Sequence, residues 1–310
     1  MKIVVSSFYK YTEIENPEAF QREHQNYCNE LGIKGKVLVA REGINGTVSG
    51  TKEHIDKYEK HLLNNKLFSG MTYKRTITDE HPFKKTIVRI RKEIVTSGLN
   101  VDMKNVGERI TPKELKELYD KKEDFIILDA RNDYESKIGK FHNAITPKLE
   151  VFRDFRKVAK KLSKHKDKKI VMYCTGGIRC EKASAYMKEQ GYKKVYHLKD
   201  GILNYIEQYP DTYFEGRCFV FDNRLSVPSG DKTEDIALCE FCHIPCGRYI
   251  NCANMKCDKL FICCNECDNT WEGTCSKSCR GIILNKKMSL ITKIKLKFFK
   301  FLRIHKIEDP

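Results

Sequence analysis

No run of apolar residues in the 310-residue sequence reaches the length that a bilayer crossing needs. The opening Met1-Lys2-Ile3-Val4-Val5-Ser6-Ser7-Phe8 also lacks the long apolar core of a signal peptide. Both absences predict a cytoplasmic protein without membrane insertion, in a compartment where thiols stay reduced. Two cofactor signatures are missing as well. There is no Gly-x-Gly-x-x-Gly phosphate loop for a flavin, and no His-His-carboxylate constellation for mononuclear iron stands out. Acidic residues are outnumbered, with 58 Lys and Arg against 42 Asp and Glu and a formal net charge of +16. That excess favours a polyanion such as nucleic acid as partner, the alternative being a lysine-rich proteome.

The sequence does hold 14 cysteines, which in a reducing compartment indicate reactive or metal-binding thiols rather than a disulfide framework. One of them organises the centre of the chain. The apolar run Lys169 to Tyr173 ends at Cys174, followed by Thr175-Gly176-Gly177-Ile178-Arg179-Cys180 and a helical pattern through Ala183, Tyr186 and Met187. This order predicts a buried strand delivering a thiol into a tight loop that caps a helix. The backbone of Thr175, Gly176, Gly177 and Ile178 would curl around the sulfur, and Arg179 with the helix N-terminus would favour an anion there. Such surroundings lower a thiol pKa. The Cys-x-x-x-x-Arg spacing resembles the active loop of rhodanese-type sulfurtransferases, whereas a phosphatase loop has one more residue before its arginine. A buried structural cysteine is the bland alternative, and the Gly-Gly pair with the arginine counts against it.

Taken in order, residues 1–78 read as strand, helix, two strands, helix, strand, the ferredoxin-like plan. Asn45-Gly46 is expected as the tight turn between its two middle strands. Thr86 to Val95 reads as an alternating, charged connector strand whose Arg89, Arg91 and Lys92 are open to RNA or simply to solvent. From about 110 to 212, strands alternate with helices, which implies a parallel sheet covered on both faces. In such sheets the chemistry sits at the carboxyl ends of the strands, where Cys174 falls. The expected divisions are 1–100 (a ferredoxin-like, acylphosphatase-like α+β module with connector), 101–215 (a rhodanese-like α/β domain), 216–284 (a Cys-rich metal module) and 285–310 (a basic tail).

Close cysteine pairs fill the third division. A crossed arrangement would join Cys239 and Cys242 with Cys264 and Cys267, and Cys252 and Cys257 with Cys275 and Cys279. Thiolate quartets suit zinc, the preferred metal, and also iron–sulfur centres. Without metal, the same thiols would be a redox relay. In the tail, Lys287, Lys293, Lys297 and Arg303 mix with Ile291, Ile294, Phe298 and Leu302, a basic amphipathic helix pattern suited to packing with RNA contact or to an anionic membrane surface.

The rhodanese resemblance extends to Asp129-Ala130-Arg131-Asn132-Asp133-Tyr134-Glu135 and Gly139-Lys140-Phe141-His142-Asn143-Ala144-Ile145, with Phe141 where a histidine is usual. Asp129 and Arg131 are expected to brace the site rather than to react. With Arg41-Glu42-Gly43-Ile44-Asn45-Gly46 before this module and the Cys-rich end after it, residues 4–280 closely resemble the bacterial rhodanese-domain family of oxygen-dependent tRNA uridine-34 hydroxylases. The resemblance implies an oxidoreductase that forms 5-hydroxyuridine, the first step toward 5-carboxymethoxyuridine or 5-methoxyuridine. It implies dioxygen as co-substrate and a tRNA anticodon loop as partner, with Cys174 as the rhodanese cysteine. Cys180 is in the family pattern too, placed to resolve or relay oxidation of Cys174. The reductant and the mode of oxygen activation are not visible in the sequence. A sulfurtransferase using a Cys174 persulfide, and a non-catalytic RNA-binding metal module, remain open.

Overall fold

The computed structural model describes residues 2–286, so the expected basic helix lies, beyond residue 286, outside the described residues. The chain divides into two compact units, 1–234 and 235–310.

The first unit opens with β1 (Ile3–Tyr11), α1 (Pro17–Glu30), β2 (Lys34–Ala40), β3 (Gly43–Gly50), α2 (Lys52–Asn64) and β4 (Tyr73–Thr78). Asn16 caps α1 through Ala19 N–H, and Thr51 caps α2 through His54 N–H, each satisfying a donor that the helix start leaves free. The sheet runs β4-β1-β3-β2, the ferredoxin-like order, and β5 (Thr86–Ile90) adds in parallel beside β2. One sheet face buries Val4, Phe8, Val37, Val39, Ile44 and Val48 against the helices. The connector strand stops at Ile90 rather than Val95. Ile94 is instead buried, with its N–H on Glu42 and its carbonyl on the Asn45 amide.

The expected Asn45-Gly46 turn is not there. Ala40 pairs with Gly43, so Arg41 and Glu42 make the turn and Asn45-Gly46 lies inside β3. Gly46 answers a different demand: a Cβ on it would stand 2.8 Å from Phe8 Cζ. The glycine lets an aromatic ring cross the sheet.

The second half of this unit comprises β6 (Glu108–Ile110), α3 (Pro112–Asp120), β7 (Ile126–Asp129), α4 (Asp133–Lys137), β8 (Gly139–Phe141), α5 (Phe155–Lys161), β9 (Lys169–Tyr173), α6 (Ile178–Glu189), β10 (Lys194–Leu198) and α7 (Gly201–Gln208). Thr111 and Glu114 form a capping box that starts α3. The parallel sheet has the order β6-β10-β9-β7. Side chains of β9 alternate between two cores. Ile170, Met172 and Cys174 join Phe155, Ala183 and Met187 on one face, while Val171 and Tyr173 join Leu115, Ile202 and Tyr205 on the other. Each such large apolar side chain, once buried, contributes roughly 1.5–3 kcal/mol. The expected boundary at residue 216 falls within β11 (Phe214–Phe219), which pairs with β8 and with β12 (Ser226–Pro228).

The second unit is held by the short hairpin β13 (Tyr249–Asn251) and β14 (Leu260–Ile262), by α8 (Asn265–Trp271), and by a further helical stretch over 277–286. Its small core contains Cys252, Phe261, Cys263 and Cys279. Among the described residues, no helix is long and apolar enough to cross a membrane.

Candidate active site

Cys174 follows β9 at the carboxyl edge of the parallel sheet, and the loop after it is shaped by backbone contacts. Gly177 N–H donates to Cys174 Sγ at 3.1 Å. Gly177 adopts φ +95°, a conformation that strains any residue with a Cβ, and that Cβ would also meet Tyr9 Oη at 3.1 Å. From the other side, the first turn of α7 donates Ile202 N–H to the Cys174 carbonyl and Leu203 N–H to the Thr175 carbonyl. Burial alone would raise the Cys174 pKa. A hydrogen bond from the Cys180 thiol, the charge of Arg179 and the N–H groups of Arg179 and Gly177 outweigh it and bring the value down to about 6. At pH 7 a group with that pKa is about nine-tenths thiolate. Cys180 moves the other way, pushed well above the ordinary thiol range by burial and by the neighbouring sulfur. Burial likewise raises Cys28 and Cys218, both to about 12.

Arg179 does not reach outward for an anionic ligand. Its guanidinium makes two hydrogen bonds of 2.6 and 2.7 Å to Glu135, and both side chains are buried. Glu135 also accepts the Thr175 hydroxyl at 3.3 Å and the Asn132 N–H at 3.1 Å. Burial favours the protonated carboxyl, yet the Arg179 charge prevails and the Glu135 pKa is lowered. Asp129 and Arg131 form a second, fully buried ion pair at 2.7 Å, and Arg131 additionally donates to the Gly139 carbonyl at 2.6 Å. The loop, Arg179, Cys180, Asp129 and Arg131 thus converge at one sheet edge. Glu135, inside the quoted stretch, is the residue that sequence reasoning passed over.

Helix α6 buries charged residues against the N-terminal module as well. Glu181 accepts from Tyr9 Oη at 3.0 Å and from Arg109 at 2.9 Å, and Lys182 pairs with Glu42 at 2.7 Å and Glu93 at 3.2 Å. Tyr11 Oη donates to the Ile178 carbonyl, and Lys74 pairs with Asp200 at 3.1 Å. The N-terminal sheet therefore presents its second face to the reactive loop. Ser7 and Tyr9, Lys36 and Leu38, Asn45 and Thr47, Lys74 and Thr76 are alternate residues of four strands, and they form one wall of a cleft of about 640 Å³. Cys174, Thr175, Gly176, Ile178 and Arg179 line the opposite side, with Val151, Phe152, Arg153 and the segment Val220 to Asp222. Lys10, Arg41 and Arg89 do not line it, and the connector contributes Ile94, Val95 and Thr96.

In the second unit, Cys239, Cys242, Cys264 and Cys267 bring four sulfurs within 4.8 Å of one another, and so do Cys252, Cys257, Cys275 and Cys279. Both quartets could hold a metal ion. These are the crossed pairings expected from the spacing. The Cys242–Cys264, Cys257–Cys275 and Cys275–Cys279 sulfurs are 3.7, 3.6 and 4.0 Å apart. Disulfide sulfurs would be about 2.05 Å apart. A tetrahedron with metal–sulfur bonds of about 2.3 Å has edges of about 3.8 Å. The donor sets therefore fit a single tetrahedral ion in each quartet.

Three domain families match the chain in sequence: the UPF0176 acylphosphatase like domain over 3–94, the rhodanese-like domain over 111–208, and the rhodanase C-terminal region over 215–280. Proteins named tRNA uridine(34) hydroxylase from Shouchella clausii and Bacillus licheniformis are each 42% identical to it, over 88% of this chain and 87% of theirs. The chain belongs to the tRNA uridine(34) hydroxylase family. A family member from Bacillus cereus is also 42% identical, over 88% of both chains. The match to the tRNA uridine(34) hydroxylases covers nearly nine-tenths of this chain.

Proposed function

We propose that this protein hydroxylates C5 of uridine 34 in the anticodon loop of tRNA, with dioxygen as co-substrate and Cys174 as the group that engages the ring. The observation that carries this reading is Cys174, fully buried yet lining the floor of a cleft. Its sulfur is held by loop N–H groups and lies beside space for a nucleoside, within the roughly 300–1,000 Å³ typical of small-ligand sites. A thiolate adds to C6 of uracil and shifts the ring's electrons toward C5, the carbon that must meet an electrophilic oxygen. One oxygen atom then replaces the C5 hydrogen. The other leaves as water at the expense of an external two-electron donor, and expulsion of the thiolate restores the ring. Asp129 and Arg131 brace the strand end, and Arg179 sets the charge at the sulfur. Cys180, as a thiol donor, supports the anionic form of Cys174.

The tRNA assignment draws on the names of the relatives, on the +16 charge and on a cleft suited to a splayed base. Fourteen cysteines with no disulfide among them, and a tRNA substrate, support a cytoplasmic setting. Zinc is the metal we assign to both quartets, as a structural, closed ion with four thiolate ligands. The same loop favours a second reading, sulfur transfer through a Cys174 persulfide, because N–H donors stabilise either sulfur anion.

Nucleoside mass spectrometry of tRNA from a strain lacking this gene, complemented with wild type or Cys174→Ser, tests the first reading. Wild type should restore 5-hydroxyuridine-derived wobble nucleosides and the variant should not. Equal restoration by both would rule out chemistry at Cys174. Thiocyanate formation from thiosulfate and cyanide, without any 5-hydroxyuridine, would favour the second reading.

A further inference from the structure

Phe221 is a large aromatic side chain left open in the cleft, with 57% of its surface exposed. It is nevertheless held in place. The Arg179 guanidinium carbon lies 5.6 Å from its ring centroid, and Phe219 meets the ring edge-on at 5.3 Å and 75°. Arg179 is in turn fixed by Glu135, so one rigid chain of contacts orients both the ring and the charge beside Cys174. The segment carrying Phe221 is also anchored to the N-terminal module, through Asn223 N–H on the Pro82 carbonyl and through Arg224 on the Thr76 hydroxyl. An exposed ring with so little freedom is a preformed stacking surface.

Charge in the cleft is divided in a telling way. Five cationic side chains line it. Lys74, Arg179 and Arg224 are spent on Asp200, Glu135 and Asp222. Lys36 and Arg153 are exposed and make no ion pair among the described residues. We propose that Phe221 is the platform on which the target uracil stacks, and that Lys36 and Arg153 hold phosphates on either side of it. This assignment rests on the tRNA reading above and makes these three positioning residues. Base–aromatic stacking with backbone phosphate contacts is how unpaired nucleotides are gripped.

The test uses the full-length protein and an anticodon stem-loop RNA carrying 5-iodouridine at position 34, photo-crosslinked and mapped by mass spectrometry. The crosslink should fall on Phe221. Phe221→Leu, which keeps apolar bulk but loses the ring, should weaken binding of the unmodified RNA by about 5- to 100-fold. Phe221→Tyr should retain it. Lys36→Ala and Arg153→Ala should each lower the slope of log affinity against log salt by about 0.7. A crosslink elsewhere, with Phe221→Leu binding and hydroxylating like wild type, would overturn the assignment while leaving the activity intact. A Phe221 crosslink in a wild-type protein that forms no 5-hydroxyuridine would instead strike at the activity and spare the platform.

Discussion

Arg179 and Glu135, 44 positions apart in sequence, share two hydrogen bonds of 2.6 and 2.7 Å beneath the loop that carries Cys174. The pair lets a guanidinium sit next to a thiolate without being drawn out to solvent or to an anionic ligand. Glu135→Gln would take the carboxylate from the buried Arg179 charge and leave only the Cys174 sulfur beside it, a loss of up to about 3–5 kcal/mol. A denaturant melt of this variant should show that loss, and pairing it with Arg179→Met should recover part of it. A Glu135→Gln protein as stable as wild type would mean that the pair contributes nothing to the fold.

The quartets predict a stoichiometry. Purified protein should contain two zinc ions, and Cys242→Ala or Cys257→Ala should each remove one. Binding energy at such sites is folding energy, so strong chelation should unfold the second unit. Elemental analysis with far-ultraviolet circular dichroism checks both statements. A metal-free protein with the second unit folded would contradict them.

His24 gives the N-terminal module a pH dependence. It is buried, with Nε2 2.9 Å from Tyr58 Oη, and burial, aided by His61, lowers its pKa from 6.5 to about 4. Between those values the unfolded chain binds the proton and the folded one does not. Stability is therefore undiminished above pH 6.5 and falls as the pH drops toward 4, by on the order of 3 kcal/mol in all. The protection of α1 amides, their exchange rate set against that of unfolded chain at the same pH, should fall over that window in wild type, and less so in His24→Gln. Protection in wild type that does not change with pH would refute this.

Much of this was legible along the chain because it is local. The β9 run, the glycine loop and the start of α6 are contiguous, and the spacing of the cysteine pairs points to two quartets. What escaped depends on the fold. Glu135 looks like any acidic residue in a short helix until the sheet carries it to Arg179. Nothing local to Glu181 and Lys182 marks them as buried, yet Tyr9, Arg109, Glu42 and Glu93 pair with them in the fold. Asn45-Gly46 misled because glycine serves two ends, positive φ in turns and close approach in strands, and here Phe8 demanded the second. The cleft-facing side of the N-terminal sheet is polar apart from Leu38, which in sequence cannot be told from a face turned to water.

The central claim is that Cys174 is an anion at neutral pH and lies at the floor of an open cleft. The pH dependence of its alkylation by iodoacetamide, followed peptide by peptide in the intact protein, tests that directly. The rate at Cys174 should rise with pH about a midpoint near 6, while Cys28 and Cys218 stay unreactive across the same range. A midpoint at the ordinary thiol value of about 8.5, or a Cys174 as inert as Cys28 and Cys218, would contradict the account.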